Sequence, residues 1–340
     1  MKKLFFIATL VFIILAIQTA NAQNPITTLE HTGTTTVFYG QNSLVDAYTA
    51  SVNGDYLYLS AGYFTAPTSI AKGVRIIGTG HFPDSTNVAK RTNILSALTI
   101  NAGADSLHLE GLYINGDINY ANSSTNYVKV KRCNIGQVNF MSYSEGASKN
   151  FCTYEECFIR GNIYFNEFGN NLLIKNNIIN GTINNIKGSA VIDGNIFLTN
   201  GYPPFNGVYS SVIKNNISVM TSNTILNQST GNTLSNNLFS KTSVDFSNNF
   251  SNNNYTGIAQ TNIFVNQTGN AIDYTQDYHL KSPAIYIGTD GTQVGLYGGT
   301  TPFKDKGAPS NPQILTKTVG DQTDTNGNLQ INFKVKAQDN

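Results

Sequence analysis

The chain has 340 residues, with 21 Lys and Arg against 20 Asp and Glu and a charged fraction of only 12%. So near-neutral a composition offers no electrostatic footprint for nucleic acid or an anionic bilayer. Its 3 cysteines are an odd number and cannot close a disulfide framework.

Residues 1–22 read as a secretory signal peptide: Lys2 and Lys3, an apolar run from Leu4 to Ile17, and Ala20-Asn21-Ala22 ahead of Gln23. Cleavage after Ala22 implies a secreted or cell-surface protein. No later run approaches the roughly 18 apolar residues of a membrane-spanning helix, so no transmembrane segment is expected. Asn42 or Ser43 can cap a helix with Leu44, Ala47, Tyr48 and Val52 on one face. Tyr56–Leu59 alternates as a strand, and Ile70, Val74, Ile76 and Ile77 continue the pattern to Gly78. Laid across the first coil of a solenoid, such a helix would cap its open end.

From about Leu98 a short phrase recurs: Ile174-Lys-Asn-Asn-Ile178, Ile192-Asp-Gly-Asn-Ile196, Ile213-Lys-Asn-Asn-Ile217 and Leu234-Ser-Asn-Asn-Leu238. Its starts are 18, 21 and 21 residues apart, the length of one β-solenoid coil. Leu109-Glu-Gly-Leu112, Val130-Lys-Arg-Cys133 and Tyr154-Glu-Glu-Cys157 carry the same frame upstream. The fold class is therefore all-β, a right-handed parallel β-helix with an N-terminal capping helix and a short C-terminal extension.

Each column of the phrase has a structural meaning. Asn177, Asn195, Asn216 and Asn237 predict a hydrogen-bonded amide ladder, with Asn also suited to a left-handed bend at the coil corner. Cys133 and Cys157 continue that column, and buried free thiols are favoured there over a disulfide. Glu110, Lys131, Glu155, Lys175, Asp193 and Lys214 alternate in sign along an exposed strand, relieving like-charge stacking. Ile178, Ile196, Ile217 and Leu238 form an extra apolar column that something must cover. After Asn270 the phrase fades, Pro302, Pro309 and Pro312 mark a linker, and Asn328–Val335 reads as one final strand. The divisions are 1–22 signal peptide, 23–300 parallel β-helix domain, and 301–340 C-terminal linker and terminal strand.

The opening Asp46-Ala47, Gly54-Asp-Tyr-Leu57 and Ile70-Ala-Lys-Gly-Val-Arg-Ile-Ile-Gly78, together with the Asn column, resembles the pectin-lyase-like superfamily of right-handed parallel β-helix proteins. The closing Asp277-Tyr-His-Leu280, Ser282-Pro-Ala-Ile285 and Val294-Gly-Leu-Tyr-Gly-Gly299 is similar to secreted Bacteroidetes-type members. The resemblance covers roughly residues 40 to 300. It implies the fold and leaves activity open, since such folds host lyases, hydrolases, esterases and adhesins. Family enzymes cleave acidic polysaccharides with clustered aspartates, calcium and Arg or Lys bases, or with aspartates plus His and Arg-x-Lys.

Neither set occurs here in family order. His31, His81, His108 and His279 read as isolated, and Glu155-Glu156 as diverging. Asp290, in Gly288-Thr-Asp-Gly291, suits a turn better than calcium, so no metal site and no cofactor is expected, with calcium left open although no motif indicates it. Glu145, Arg160 and Glu167 are the candidate catalytic residues, near the insertions Phe140–Lys149 and Gly201–Gly207. Tyr120, Phe140 and Phe165 are placed inward; Tyr113, Phe158 and Tyr164 fall on the outward phase as a sugar-stacking strip. The reading is a monomeric, secreted or surface β-helix protein, non-catalytic, binding a polysaccharide or surface protein along its sheet face. A polysaccharide lyase or glycoside hydrolase acting on an acidic polysaccharide, and a purely structural protein, are the alternatives.

Overall fold

The computed structural model describes residues 24–83, 90–140, 149–165, 169–310 and 313–336. It is a parallel β-solenoid of about nine turns. The first sheet has 12 strands, the second 10 and the third 7. Register follows the phrase: Ile174 lies beside Tyr154 and Ile192, and Ile178 beside Phe158 and Ile196. Short β-branched runs interrupted by Asn and Gly make strands of two to four residues with a turn at each corner.

The five positions of the phrase take five distinct jobs. The opening residue points inward, as Val130, Tyr154, Ile174, Ile192 and Ile213 all do at 0–1% exposure. The second faces outward on the first sheet. There Lys214 reaches Asp193 at 3.4 Å and Lys131 reaches Glu155 at 3.8 Å. The column is less exposed than expected, since Glu110 and Glu155 are buried.

The left-handed bend falls one residue before the ladder rather than on it. Gly111, Arg132, Glu156, Asn176, Gly194, Asn215, Asn236 and Asn253 take φ between +50° and +68°. The fourth position is freed for the ladder. Asn177 Nδ2 donates to Asn195 Oδ1 at 2.9 Å, Asn195 to Asn216 at 2.9 Å, and Asn216 to Asn237 at 3.0 Å. Asn254 extends the ladder by one coil, accepting from Asn237 at 2.9 Å. Cys157 Sγ accepts the Cys133 N–H at 3.5 Å in the same role, and all three cysteines are free and buried.

The fifth position faces out from the second sheet. Here a strap, residues 258–310, runs back along the solenoid and covers the apolar column. Ile263, Phe264, Leu280, Val294 and Leu296 bury Ile178, Ile196, Ile217 and Leu238. The bend column is its rail. Asn236 Nδ2 donates to Ile287 O at 2.8 Å, Asn215 Oδ1 accepts the Thr289 N–H at 2.8 Å, and Asn176 Nδ2 donates to Thr301 O at 2.8 Å. Over the next two coils, Glu156 Oε2 accepts the Lys304 N–H at 3.0 Å and Arg132 Nη1 donates to Ala308 O at 3.2 Å. Arg132 and Glu156, each 1% exposed, pair at 2.9 Å beneath it. At Gly111 a Cβ would come within 2.4 Å of Pro309, so only glycine lets the strap sit there. Residues 301–310 are thus seated on the solenoid rather than forming a free linker.

At the N-terminal end the helix Ser43–Ala50 buries Leu44, Ala47 and Tyr48, while Val52 lies beyond it and is exposed. A hairpin that the periodicity missed joins it. Ile26–His31 and Thr34–Tyr39 turn through Thr32-Gly33, both at positive φ, and extend the first sheet antiparallel. At the other end Gln313–Thr323 pairs with Leu329–Lys336, two strands where one was expected.

Candidate functional site

The second sheet carries an outward column that changes character along its length. From Phe158 onward it is apolar and roofed by the strap; before that it runs Tyr63, Asn93, Tyr113 and Asn134, outside the apolar cover. Two arginines meet at Tyr113: Arg91 Cζ is 4.1 Å and Arg160 Cζ 4.9 Å from the ring centroid. Arg160 is aimed by hydrogen bonds from Nη1 to Asn134 Oδ1 at 2.8 Å and from Nη2 to Ile114 O at 2.9 Å. Asn134 in turn donates to Tyr274 of the strap at 2.6 Å. The Arg160 guanidinium is therefore held by the sheet beneath it and, through Asn134, tied to the strap, while Arg91 rests on the Tyr113 ring.

Tyr274 leads into a cavity of about 260 Å³ under the strap, lined among others by Phe158, Tyr278, Tyr297 and Phe303. Polar groups converge at its mouth. His279 Nδ1 lies 2.7 Å from Asp277 Oδ1, and its ring stacks on Tyr297 at 3.6 Å. Tyr297 donates to Asp305 at 2.9 Å. The His279 backbone N–H holds the Asp277 carboxyl below its usual range. Burial, then Asp305, pushes the Tyr297 phenol up. Behind the cavity His81 is fully buried against Phe82, Phe158 and Tyr274, and burial presses its pKa down to about 3.

The structure brings Tyr113 and Arg160 together and separates them from their expected companions. Phe158 is only 1% exposed; it sits under the strap, so no sugar can stack on it from the open face. Tyr164 stands on the third sheet, within an outward row that otherwise holds Thr99, Asn119, Asn139, Asn184, Asn206 and Asn227. The expected strip of Tyr113, Phe158 and Tyr164 is therefore not a single surface. Glu145 and Glu167 lie outside the described residues, as does most of Phe140–Lys149. The other proposed insertion, Gly201–Gly207, runs into a strand of the third sheet, Phe205–Val208. Tyr120, Phe140 and Phe165 do stack inside, with centroids 4.3 Å apart.

Asp290 Oδ1 accepts from the Thr292 N–H and hydroxyl at 3.0 and 2.7 Å, closing a turn. Among the described residues no three His, Cys, Asp or Glu side chains gather as metal ligands, and no helix is long and apolar enough to cross a membrane. Arg91, Tyr274 and the Asp277–His279 pair were missed because none falls on the repeat. His279 is two residues from Asp277 on one strand, which puts both side chains on one face. That spacing was the available signal. Searches against protein-family models, curated proteins and solved structures find no match to this chain.

Proposed function

We propose that the protein is secreted or held at a cell surface and binds an acidic glycan at the open end of its second sheet, without cleaving it. The pair of arginines over Tyr113 carries this reading. A guanidinium matches a carboxylate or sulfate with two parallel hydrogen bonds, and stacking on the Tyr113 ring keeps both groups in place. Arg160 is already oriented by Asn134, so little side-chain entropy is lost on binding. Membership of the pectin-lyase-like superfamily, supported by the opening and closing motifs, agrees with such a ligand. Affinity gels containing polygalacturonate, alginate, heparin or neutral dextran test it. Retardation by the anionic gels alone is expected; equal migration in all four would end the proposal.

A second reading rests on Asp277 and His279. A carboxylate orienting an imidazole is the arrangement of a general base, and Lys306 lines the same cavity. Incubation with the same polyuronates separates the two readings. An unsaturated, ultraviolet-absorbing product that disappears with His279→Gln establishes a lyase, and its absence leaves the binding role.

A further inference from the structure

The cavity under the strap is graded from aromatic to acidic. Phe158, Tyr278 and Phe303 line it while themselves buried, with Tyr274 and Tyr297 beside them. The rings do not form one stack. Phe158 runs nearly parallel to Phe303 with centroids 6.0 Å apart, while Tyr278 stands at 66° to Phe158 and Tyr297 at 84° to Phe303. Walls set at these angles border a void of about 260 Å³. That is smaller than the roughly 300 Å³ at which pockets for drug-sized ligands begin, so it suits a head group and not a polymer chain. The phenols facing it are already committed. Tyr274 Oη accepts from Asn134 Nδ2 at 2.6 Å and donates to His81 O at 3.1 Å. Tyr278 Oη accepts the Asp273 N–H at 3.1 Å and donates to Asp273 O at 3.2 Å, and Tyr297 donates to Asp305.

The rim is negative. Asp273, Asp277 and Asp305 border the cavity with Lys306, so that with the His279 imidazole neutral three negative charges face one positive. Backbone N–H groups of Thr275 and His279 hold Asp273 and Asp277 below the usual carboxylate range, which keeps both ionised at neutral pH. These carboxylates do not gather as a metal-ligand set among the described residues. A cation that carries methyl groups in place of N–H donors fits all of this. It asks for no hydrogen bonds, it is attracted by aromatic rings, and the carboxylates at the rim neutralise it. We infer that the cavity binds the quaternary ammonium head of a choline-like organic cation, free or carried on a lipid. The site does not depend on glycan binding at Arg91 and Arg160, and its ligand has the opposite charge to the uronate of the lyase reading.

Isothermal titration calorimetry of the full chain with choline chloride provides the test, with dimethylbutanol, the uncharged carbon isostere of choline, run beside it. Wild type is expected to bind choline with a dissociation constant of about 1 mM or below and the isostere about tenfold or more weakly. Asp277→Asn/Asp305→Asn should weaken choline about tenfold and leave the isostere unchanged, with circular dichroism confirming the fold. Arg91→Gln/Arg160→Gln should leave choline binding as it is. Vesicles of phosphatidylcholine identify the carrier: cosedimentation relieved by free choline marks a lipid head group, and choline binding without cosedimentation marks a free solute, either one upholding the site. No choline binding by wild type at tens of millimolar would overturn the inference. So would equal affinity for the uncharged isostere, or unaltered choline binding by the double Asn variant.

Discussion

Asn216 shows how one side chain can hold a coil. Its Oδ1 accepts from the backbone N–H and the Nδ2 of Asn195, both at 2.9 Å, and its Nδ2 donates to Ile192 O at 2.8 Å and Asn237 Oδ1 at 3.0 Å. All four amide valences are used in a site with 1% exposure. Asn216→Ala therefore strands several buried groups and should cost about 3 kcal/mol in urea unfolding. Asn216→Asp, which also buries a charge, should cost more. The recurring Asn announced this ladder, but not which neighbour bends the chain. Arg132 and Glu156 take the left-handed corner although neither type favours it; from there their side chains reach Ala308 O and the Lys304 N–H of the strap.

Buried histidine makes the fold sensitive to acid. Burial lowers His81 from 6.5 to about 3 and His108 to about 4. The unfolded chain takes up these protons near pH 6.5, while the folded chain resists them until its lower pKa. Their contribution to stability is thus complete above 6.5 and is lost as pH falls toward 3–4. Urea midpoints should drop across that window. His81→Phe should flatten the drop; an unchanged pH profile in that variant would show that His81 is not its source.

At the scale of elements, the strap is what the repeat alone did not disclose. The column Ile178, Ile196, Ile217 and Leu238 signalled that something lies over the second sheet. Its cover could not be read, because Ile263, Phe264, Leu280, Val294 and Leu296 follow no period and come from a short helix, two short strands and the turns after them. The N-terminal hairpin was missed for a different reason. Thr34–Tyr39 is almost uniformly polar or exposed, so it lacks the alternation of a half-buried strand. Leu296→Ala should remove about 2–4 kcal/mol by opening a cavity between strap and sheet. Arg132→Ala, which leaves Glu156 without its closest partner, should cost about 3–5 kcal/mol. Arg132→Met combined with Glu156→Leu should cost much less. Chemical denaturation of the three variants gives the ranking, and a double substitution as damaging as Arg132→Ala would show that the ion pair itself is not the fastening.

Across the whole molecule, regular coils and function occupy different surfaces. The repeat accounts for the interior ladder and the charged first sheet, both readable from five positions, while the strap's rail falls one residue away from where the bend was expected. The site could be read only in part. Tyr113 and Arg160 stood out by residue type, but their meeting depends on coils 47 residues apart in sequence being stacked in register. Tyr274, Asp277 and His279 arrive from the strap, whose path no local pattern encodes. What remains exposed or partly exposed on the second sheet is the end that carries Tyr63, Arg91 and Tyr113, with the strap reaching Asn134 beside them. Titration of polygalacturonate into wild type and Arg91→Gln/Arg160→Gln at several salt concentrations tests that assignment most directly. Wild type should bind with affinity that falls as salt rises, and the variant should bind about tenfold or more weakly with a shallower salt dependence. Equal affinity and equal salt dependence in the two proteins would contradict it.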